Sequence, residues 1–468
     1  MSQEKMLSRR HFMRLSALVA GGVVVAACQP KVVEKVVKET VIVEGTPQVV
    51  EKVITKVITA KPAAAEKIKL TYWDNSSPED VDGKVKAAIC DRFREKNPNI
   101  ELEVSFKPTT AGTQMSETLL TAIAGGNPPH AAYFDRYLVP TWAAEDALTD
   151  LTDLADLAGI KEEDYFPYAW EEATGWRNKL WALPMDADCR ALYYNKELAA
   201  EAGLDPEKPP IYTEELDAWA EAMFKMDGPR MLTAGLIPWL GQSKLQSWMW
   251  AWDARAYDKE TGEVTVNEPP MVKCLEWMAS YAEKYPIEAF DSFASAFGGA
   301  DQGPFYIGQI AMGVDGDWNL ANIAKYAPEL NFGVTPNPYP KDGGRVSTWA
   351  GGWCLVVPRG APSIEEGFKF ISYFAGPQEM DFFCEETAHI PCLKAPAEDN
   401  PYYSQDPMHK IFMDLMPIAN SRPPVPIGQF LYAGLYEAQD LAIHGVKTPQ
   451  EALDDLTARA NEERKRWL

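Results

Sequence analysis

The chain has 468 residues, of which 46% are hydrophobic and 24% charged, and this composition is typical of a globular protein rather than a disordered one. Its 68 acidic residues outnumber 45 lysines and arginines, giving a formal net charge of −23. Such a surface repels phosphate backbones, which excludes nucleic-acid binding as the main activity.

The N-terminus predicts an export signal. A basic region ends at Arg14, and the apolar run 15–27 that follows is too short to span about 30 Å of hydrocarbon. The segment SRRHFM, from Ser8, resembles the twin-arginine signal, and VAAC, ending at Cys28, resembles a lipobox. We expect residues 1–27 to be a signal peptide and Cys28 to be acylated, which would anchor the chain to the membrane. The alternative is a plain secretory signal with an incidental cysteine.

Residues 28–66 predict a linker between this anchor and a globular region. The sequence VVEKVV at Val32 recurs as VVEKVI at Val49, and the valines favour extended backbone. We interpret the segment as a lipid-anchored tether, with a strand that docks on a partner as the alternative. No later segment reaches 18 consecutive apolar residues, so the rest of the chain predicts no membrane span.

From Ile68 the hydrophobic pattern alternates between strands and helices. The first part predicts, in order, strand 68–73, helix 81–96, strand 100–106, helix 113–124 and strand 131–134. This order indicates a parallel or mixed sheet covered by helices. The remaining predicted helices are 213–226, 245–254, 271–284, 363–374, 377–386, 427–444 and 449–468, and the remaining strands are 310–314, 331–334 and 354–357. The separated groups of strands predict an α/β protein with two lobes that the chain crosses more than once.

Five sequence segments carry a family resemblance. In chain order they are AGGNPPH from Ala124, LWALP from Leu180 with LYYNKEL, AGL from Ala202 with PPIYTEEL, FYIGQIAMGVDGDWN from Phe305, and AGGW from Ala350 with FKFI. Together they resemble the family 1 extracellular solute-binding proteins of ABC importers, which include maltodextrin-binding protein. His130 departs from this pattern, because the family usually has Asp there.

The resemblance implies a two-lobed type II periplasmic-binding-protein fold with three inter-lobe crossovers. We expect an N-lobe of residues 67–185 and 335–360, and a C-lobe of residues 190–330 and 362–468. It also implies a monomeric extracytoplasmic receptor that closes on a small solute and delivers it to ABC permease subunits, without a cofactor or a metal. Lobe closure would be its mechanism, because ligand contacts from both lobes favour the closed state.

Aromatic and polar residues at strand ends are the expected ligand contacts. Flat rings cover the C–H faces of a sugar, while carboxylates, amides and guanidinium groups pair with its hydroxyls. The 15 tryptophans therefore favour a sugar ligand, and for each tryptophan core packing is the alternative; Trp248 and Trp252, four residues apart, are expected in the core. Asp188 would line the cleft or be solvated at the hinge. The predicted ligand residues are Trp73, Asp74, Asn75, Asp135, Arg136, Asp186, Trp239, Asp317, Trp318, Gly351, Gly352 and Trp353.

Other classes of function remain open at this point. A polyamine, a peptide or a glycerol-phosphate compound could replace the sugar as solute. An enzyme is disfavoured, since no Gly-x-Ser-x-Gly, His-Glu-x-x-His or P-loop motif is present, although a carboxylate pair for glycoside hydrolysis stays conceivable. No Cys-x-x-Cys motif indicates structural zinc, and Cys384 with Cys392 is the one local disulfide that the spacing allows.

Overall fold

The computed structural model describes residues 32–43, 46–57, 67–107, 113–297 and 303–467. The predicted signal peptide and Cys28 lie outside the described residues. The chain divides into two compact units, residues 1–68 and 69–468. In the first unit, strands β1 and β2 pair antiparallel from Val32 opposite Val57 to Val43 opposite Thr46, where the sequence predicts extended backbone.

The strands of the described chain are from 2 to 12 residues long. Their bounds are β1 Val32–Val43, β2 Thr46–Val57, β3 Ile68–Asp74, β4 Ile100–Phe106, β5 Ala131–Asp135, β6 Leu183–Pro184, β7 Asp186–Asn195, β8 Lys225–Asp227, β9 Arg230–Leu236, β10 Ile310–Gly316, β11 Phe332–Thr335, β12 Thr348–Gly351, β13 Trp353–Val356, β14 Ile390–Pro391 and β15 Ala419–Asn420.

The helices cover the sheets and dominate the C-terminal part. Their bounds are α1 Val81–Lys96, α2 Thr113–Ala124, α3 Val139–Ala144, α4 Thr152–Ala158, α5 Pro167–Thr174, α6 Lys196–Glu201, α7 Thr213–Met223, α8 Leu245–Trp248, α9 Pro269–Lys284, α10 Ile287–Ala294, α11 Asn319–Tyr326, α12 Ile364–Phe374, α13 Pro377–Thr387, α14 Lys394–Asp399, α15 Tyr402–Gln405, α16 Pro407–Leu415, α17 Gly428–Ile443 and α18 Pro449–Arg464. None of the described helices is both long and apolar enough to span a membrane.

Two sheets organise the larger unit. The first has the strand order β4-β3-β5-β13-β6, with β3 and β5 parallel and β13 antiparallel to β5 and β6. The second follows the order β15-β12-β7-β10-β9-β8, and β11 and β14 also pair with β7. This mixed α/β arrangement confirms the predicted fold class.

The chain passes between the sheets at three links; the first two are one residue long, and the third runs through α12 and α13. It leaves the first sheet after β6 and enters the second at β7, and it returns where β12 is followed by β13. It reaches the second sheet again at β14, whose residues Ile390 and Pro391 pair with Ala187 and Asp186 of β7. The beginning of β7 therefore lies where all three links meet.

Helices α12 and α13 pack on the first sheet. The ring of Phe370 lies 4.9 Å from Tyr72 of β3 and 5.1 Å from Phe93 of α1, and α13 packs against α1. This contact corrects the expectation that residues 362–468 all belong to the C-lobe, because the aromatic face of α12 covers β3 and α1. The other lobe limits stay a prediction.

Most predicted elements agree with the structure to within a few residues. Absent from the sequence prediction are strands β6 to β9, β12, β14 and β15 and helices α3 to α6, α10, α11 and α14 to α16. All ten residues of β7 are buried, yet its first half carries the charged Asp186, Asp188 and Arg190. Helix 213–226 was predicted too long, because Lys225–Asp227 turns at Gly228 and pairs with β9 as a hairpin.

The cysteines of the larger unit are buried free thiols. Cys384 and Cys392 belong to this set, so the disulfide that their spacing allows is not formed. The Sγ–H of Cys392 instead donates to the carbonyl of Asp186 at 2.6 Å, and burial raises the pKa of its thiol. These side chains act as small core residues.

Candidate functional site

Asp186 and Trp353 lie together where the links between the sheets meet. The Asp186 carboxylate accepts the Tyr133 hydroxyl and the Trp353 backbone N–H, each at 2.7 Å. The half-buried Trp353 ring stacks on Tyr133 with centroids 5.3 Å apart. Burial, with the nearby Asp188 charge, raises the pKa of Asp186. These contacts fix an aromatic ring and a carboxylate at the start of β7. We call this place, where the three links between the sheets meet, the junction.

Arg136 is fully buried and makes its contacts within the protein. It donates to Glu172 at 2.8 Å, to the Asp186 carbonyl at 2.6 Å and to the Gly351 carbonyl at 2.7 Å. A Cβ at Gly352, whose φ is +140°, would lie 2.8 Å from a guanidinium nitrogen. The backbone carbonyl oxygen of Asp186 would be closer still, and this contact together with the positive φ explains why glycine occupies the position. Arg136 thus ties the crossing strands together, and a ligand contact by it stays a prediction.

A row of flat side chains crosses the second sheet. Gly316 of β10 is opposite Arg190 of β7, and the Trp318 ring folds over Gly316, where a Cβ would overlap it. The Arg190 guanidinium lies 4.9 Å from the Trp318 ring and 3.8 Å from the Trp349 ring of β12. The Arg422 guanidinium lies 5.3 Å from the same Trp349 ring. We call Trp318, Arg190, Trp349 and Arg422 the planar row.

Asp317 has one oxygen that contacts no protein donor. One carboxylate oxygen accepts the Trp318 backbone N–H at 2.9 Å, whereas Oδ2 is buried without a hydrogen-bond partner. Burial, reinforced by Asp188 and opposed by Arg190, raises the pKa of Asp317 well above its ordinary value. Such a carboxyl is placed to bind a polar group brought in by a ligand.

His389 supports the Trp318 end of the planar row. Its buried ring stacks on Trp318 with centroids 5.8 Å apart and on Phe383 of α13 at 5.4 Å. Its Nδ1 lies 2.8 Å from the Thr387 hydroxyl. These contacts join a ring of the second sheet to a helix that packs on the first.

The ion pairs leave the junction acidic. Four cations are each paired with a carboxylate: Lys86 with Asp74 at 3.6 Å, Arg136 with Glu172 at 2.8 Å, Arg422 with Asp135 at 3.1 Å, and Arg190 with Asp188. Asp186 and Asp317 add two further carboxyls, so six carboxyls accompany four cations. Burial raises the pKa of Asp135 as well, although Arg422 opposes it.

The three ligand residues predicted at the end of β3 have different surroundings. Asp74 is buried, accepts from the Tyr72 hydroxyl and the Ser76 N–H, and forms an ion pair with Lys86 at 3.6 Å. Trp73 is half-buried, with the Lys107 ammonium 4.2 Å from its ring. Because side chains alternate along a strand, Trp73 points away from Asp74. Asn75 follows, half-buried.

Trp239 packs in the interior of the second lobe. Its ring meets Phe290 edge-on at 5.0 Å, and it is buried. The rings of Trp248 and Trp252 lie 5.0 and 4.8 Å from Trp277, which confirms the expected core packing of that pair.

Sequence reasoning missed four residues at the junction: Arg190, Trp349, His389 and Arg422. In the first half of β7 the sequence singles out only Asp186 and Asp188, because no strand is predicted there. Trp349 lies two residues before the predicted Gly351, which was the one available signal. His389 and Arg422 come from distant segments, and only the folded chain brings them to β7.

A separate cavity of about 910 Å³ lies between α5, the loop after α8 and residues 413–423. None of the twelve predicted ligand residues lines it. The exposed pair of Glu171 and Lys259, 2.8 Å apart, joins two of its walls. Within the described residues, no group of three or more His, Cys, Asp or Glu could hold a metal ion.

The fold and the junction define a class, that of two-lobed binding proteins. The model of one family, described as bacterial extracellular solute-binding protein, matches residues 75–381. The chain belongs to this family. It is the solute-binding protein of an ABC importer, it works with ABC permease subunits outside the cytoplasm, and it is not an enzyme.

The relatives that this chain resembles are named for different ligands. The sn-glycerol-3-phosphate-binding periplasmic protein UgpB of Escherichia coli is 26% identical over 422 residues, or 84% of this chain and 92% of that protein. The solved structure "CpMnBP1 with Mannobiose Bound" is 25% identical, with a TM-score of 0.76 over 84% of this chain and all of the other. Maltose-bound MalE3 of T. maritima, at 20% identity and a TM-score of 0.71 over 84% and 99%, supports the fold alone.

Proposed function

We infer that this receptor binds a neutral sugar or oligosaccharide at the junction of its lobes. The observation that carries this inference is the planar row, which is flanked by the carboxyl groups of Asp188 and Asp317. Half-buried rings such as Trp318 and Trp353 offer flat apolar faces, and the neighbouring carboxyls offer hydroxyl acceptors. The likeness to a structure that holds mannobiose supports the same class of ligand.

The charge balance argues against a phosphate ester, the ligand named for UgpB. A phosphate group needs cations that are available to bind it. Here Arg190, Arg422, Arg136 and Lys86 are each paired with a carboxylate, and two more carboxyls lie among them. Adding a phosphate dianion would therefore increase the repulsion at the junction.

A cationic solute such as a polyamine is the second candidate. Six carboxyls against four cations favour positive charge, and the rings of Trp318 and Trp353 could bind an ammonium group by cation–π contact. The likeness to a structure that holds mannobiose favours the neutral ligand over the cation.

Calorimetric titration with four probes separates these candidates. The probes are mannotriose, maltose, spermidine and sn-glycerol 3-phosphate. The proposal expects a sugar to bind, and it expects the Trp318→Ala variant to weaken that sugar by roughly 5- to 150-fold, the effect of about 1–3 kcal/mol from one stacked ring. Binding of spermidine or the phosphate without any sugar would reject the sugar assignment.

The lipid anchor belongs to the same proposal. Acylation of Cys28 would hold the receptor at the membrane near its permease, and the SRRHFM segment would direct export through the twin-arginine route. Fractionation of cells that express the Cys28→Ser variant tests the anchor. The variant should move from the membrane to the soluble fraction, whereas an unchanged distribution would support a plain secretory signal. Light scattering of the purified protein tests the expected monomer.

A further inference from the structure

We propose that Arg190, Asp317 and Trp349 form one recognition site for neighbouring hydroxyl groups of the ligand. This inference rests on the proposed function and assigns its ligand contacts to a donor–acceptor set. Of the three residues, only Asp317 was singled out by sequence reasoning.

Strand pairing brings the three side chains together. Gly316 of β10 is opposite Arg190 of β7, and Asp317 follows the end of β10, close enough for the Arg190 charge to oppose the rise in the pKa of Asp317. On the other side of β7, the Trp349 ring of β12 packs 3.8 Å from the Arg190 guanidinium. Arg190, Asp317 and Trp349 are 5%, 0% and 3% exposed, so all three are withdrawn from bulk solvent.

Each of the three residues has a buried polar atom that no protein group satisfies. Arg190 donates through one terminal nitrogen to Asp188, but its Nε–H has no partner. Asp317 accepts the Trp318 N–H through Oδ1, but its Oδ2 has no partner. The Trp349 Nε1–H is likewise unpartnered. Buried polar atoms in folded proteins are almost always hydrogen-bonded, so each of these three atoms lacks a partner that a bound ligand can supply.

The mixture of two donors and one acceptor selects the chemistry of that partner. A hydroxyl group both donates and accepts, so two neighbouring hydroxyls can accept from Arg190 and Trp349 and donate to Asp317. An ammonium group would satisfy Asp317 but leave both N–H donors unpaired. A carboxylate or phosphate would satisfy the donors but lie against Asp317 and Asp188. A neutral polyol satisfies all three atoms, which neither an ammonium group nor an anion does.

Arg190 is also held in one orientation. Its guanidinium lies between the rings of Trp318 and Trp349, and Asp188 fixes its outer end. A planar donor fixed in this way recognises hydroxyls in one geometry, because a group turned away from the plane makes a poor hydrogen bond. We therefore expect this site to discriminate between sugar epimers.

The test compares variants with a sugar that binds the unaltered protein, chosen from mannotriose, maltose and tagatose. The Arg190→Lys variant keeps the charge but loses the planar donor, and we expect it to bind roughly tenfold more weakly. Asp317→Leu should give a loss of similar size. Arg359→Lys changes an exposed arginine that is paired with Asp146, and it should bind within about twofold of the unaltered protein.

A second measurement avoids variants whose folding is impaired. Monodeoxy analogues of the same sugar are titrated into the unaltered protein, and at least one should bind roughly tenfold more weakly, because it leaves a buried donor unpaired. That analogue should lose little further affinity in Arg190→Lys, since the contact is already absent.

The results distinguish a failure of the recognition site from a failure of the proposed sugar-binding function. If a sugar binds but both variants behave like Arg359→Lys, or every monodeoxy analogue binds like the parent, the recognition site is wrong and the receptor assignment stands. If no sugar binds the unaltered protein, the proposed function is wrong, and the recognition site fails with it.

Discussion

Gly316 controls the position of the ring that the proposed function depends on. A Cβ at this position would overlap the six-membered ring of Trp318, far inside an ordinary carbon–carbon contact of roughly 3.5–4.0 Å. In the Gly316→Ala variant the ring must therefore move by roughly 1.5 Å to restore an ordinary contact. Such a shift disturbs its packing against Arg190 and His389.

The size of the effect follows from what the ring loses. We expect Gly316→Ala to reduce sugar affinity by up to about 1–3 kcal/mol, or roughly 5- to 150-fold, the same range as Trp318→Ala. Overpacking should also lower the free energy of unfolding by about 1–3 kcal/mol. Calorimetric titration measures the first quantity, and urea denaturation measures the second.

Gly313 supplies a matched control on the same strand. An added Cβ at Gly313 meets no atom within 4 Å, so Gly313→Ala should leave both affinity and stability nearly unchanged. Equal affinities for Gly316→Ala and Gly313→Ala would show that the ring over Gly316 does not contact the ligand, and the reasoning would be refuted.

Three further predictions concern stability. Glu172→Ala leaves the buried Arg136 without its ion pair and should lower the free energy of unfolding by about 3–5 kcal/mol. Glu171 is an exposed neighbour on α5, and Glu171→Ala should lower it by less than about 1 kcal/mol. Thermal unfolding of the two variants measures the difference. Burial raises the pKa of Asp315 from its ordinary 3.8 to about 6, so the folded state holds that proton more tightly and stability falls as pH rises between those values. Asp315→Asn removes this slope, which denaturation at pH 4 and pH 7 measures. The buried thiols should not react with a thiol reagent until the protein unfolds.

Each of these predictions has an outcome that would contradict it. Equal melting temperatures for Glu172→Ala and Glu171→Ala would mean that the Arg136 pair does not hold the crossing strands. If the free energies of unfolding of Asp315→Asn and of the unaltered protein differ by the same amount at both pH values, the raised pKa of Asp315 does not contribute to the pH dependence of stability. Rapid modification of thiols in the native protein would mean that the interior opens readily.

Local patterns predicted the first part of the fold well. Helices 81–96 and 113–124 and strand 100–106 have the same bounds in sequence and structure, because apolar spacing and flanking turn residues determine them locally. Strand β7 could not be predicted in this way. Its first half buries charged residues that only partners from other strands and loops can stabilise, and these partners are invisible in a local window.

The site was predicted in part for a related reason. Asp317 and Trp318 lie in the segment FYIGQIAMGVDGDWN that carries the family resemblance, and the strand predicted at 310–314 extends to Gly316 beside them. Trp349 reaches Arg190 only through the pairing of β12 with β7, and Arg422 pairs with Asp135 across 287 residues of sequence. Such contacts depend on the register between distant strands, which the spacing of residues in one segment does not encode.

The most direct test of the central claim is a crystal structure of the chain with a sugar that binds it in solution. The account predicts that the sugar packs on Trp318 and has hydroxyl groups within hydrogen-bond distance of Arg190 Nε and Asp317 Oδ2. A sugar found instead in the 910 Å³ cavity beside α5, with the planar row untouched, would contradict it.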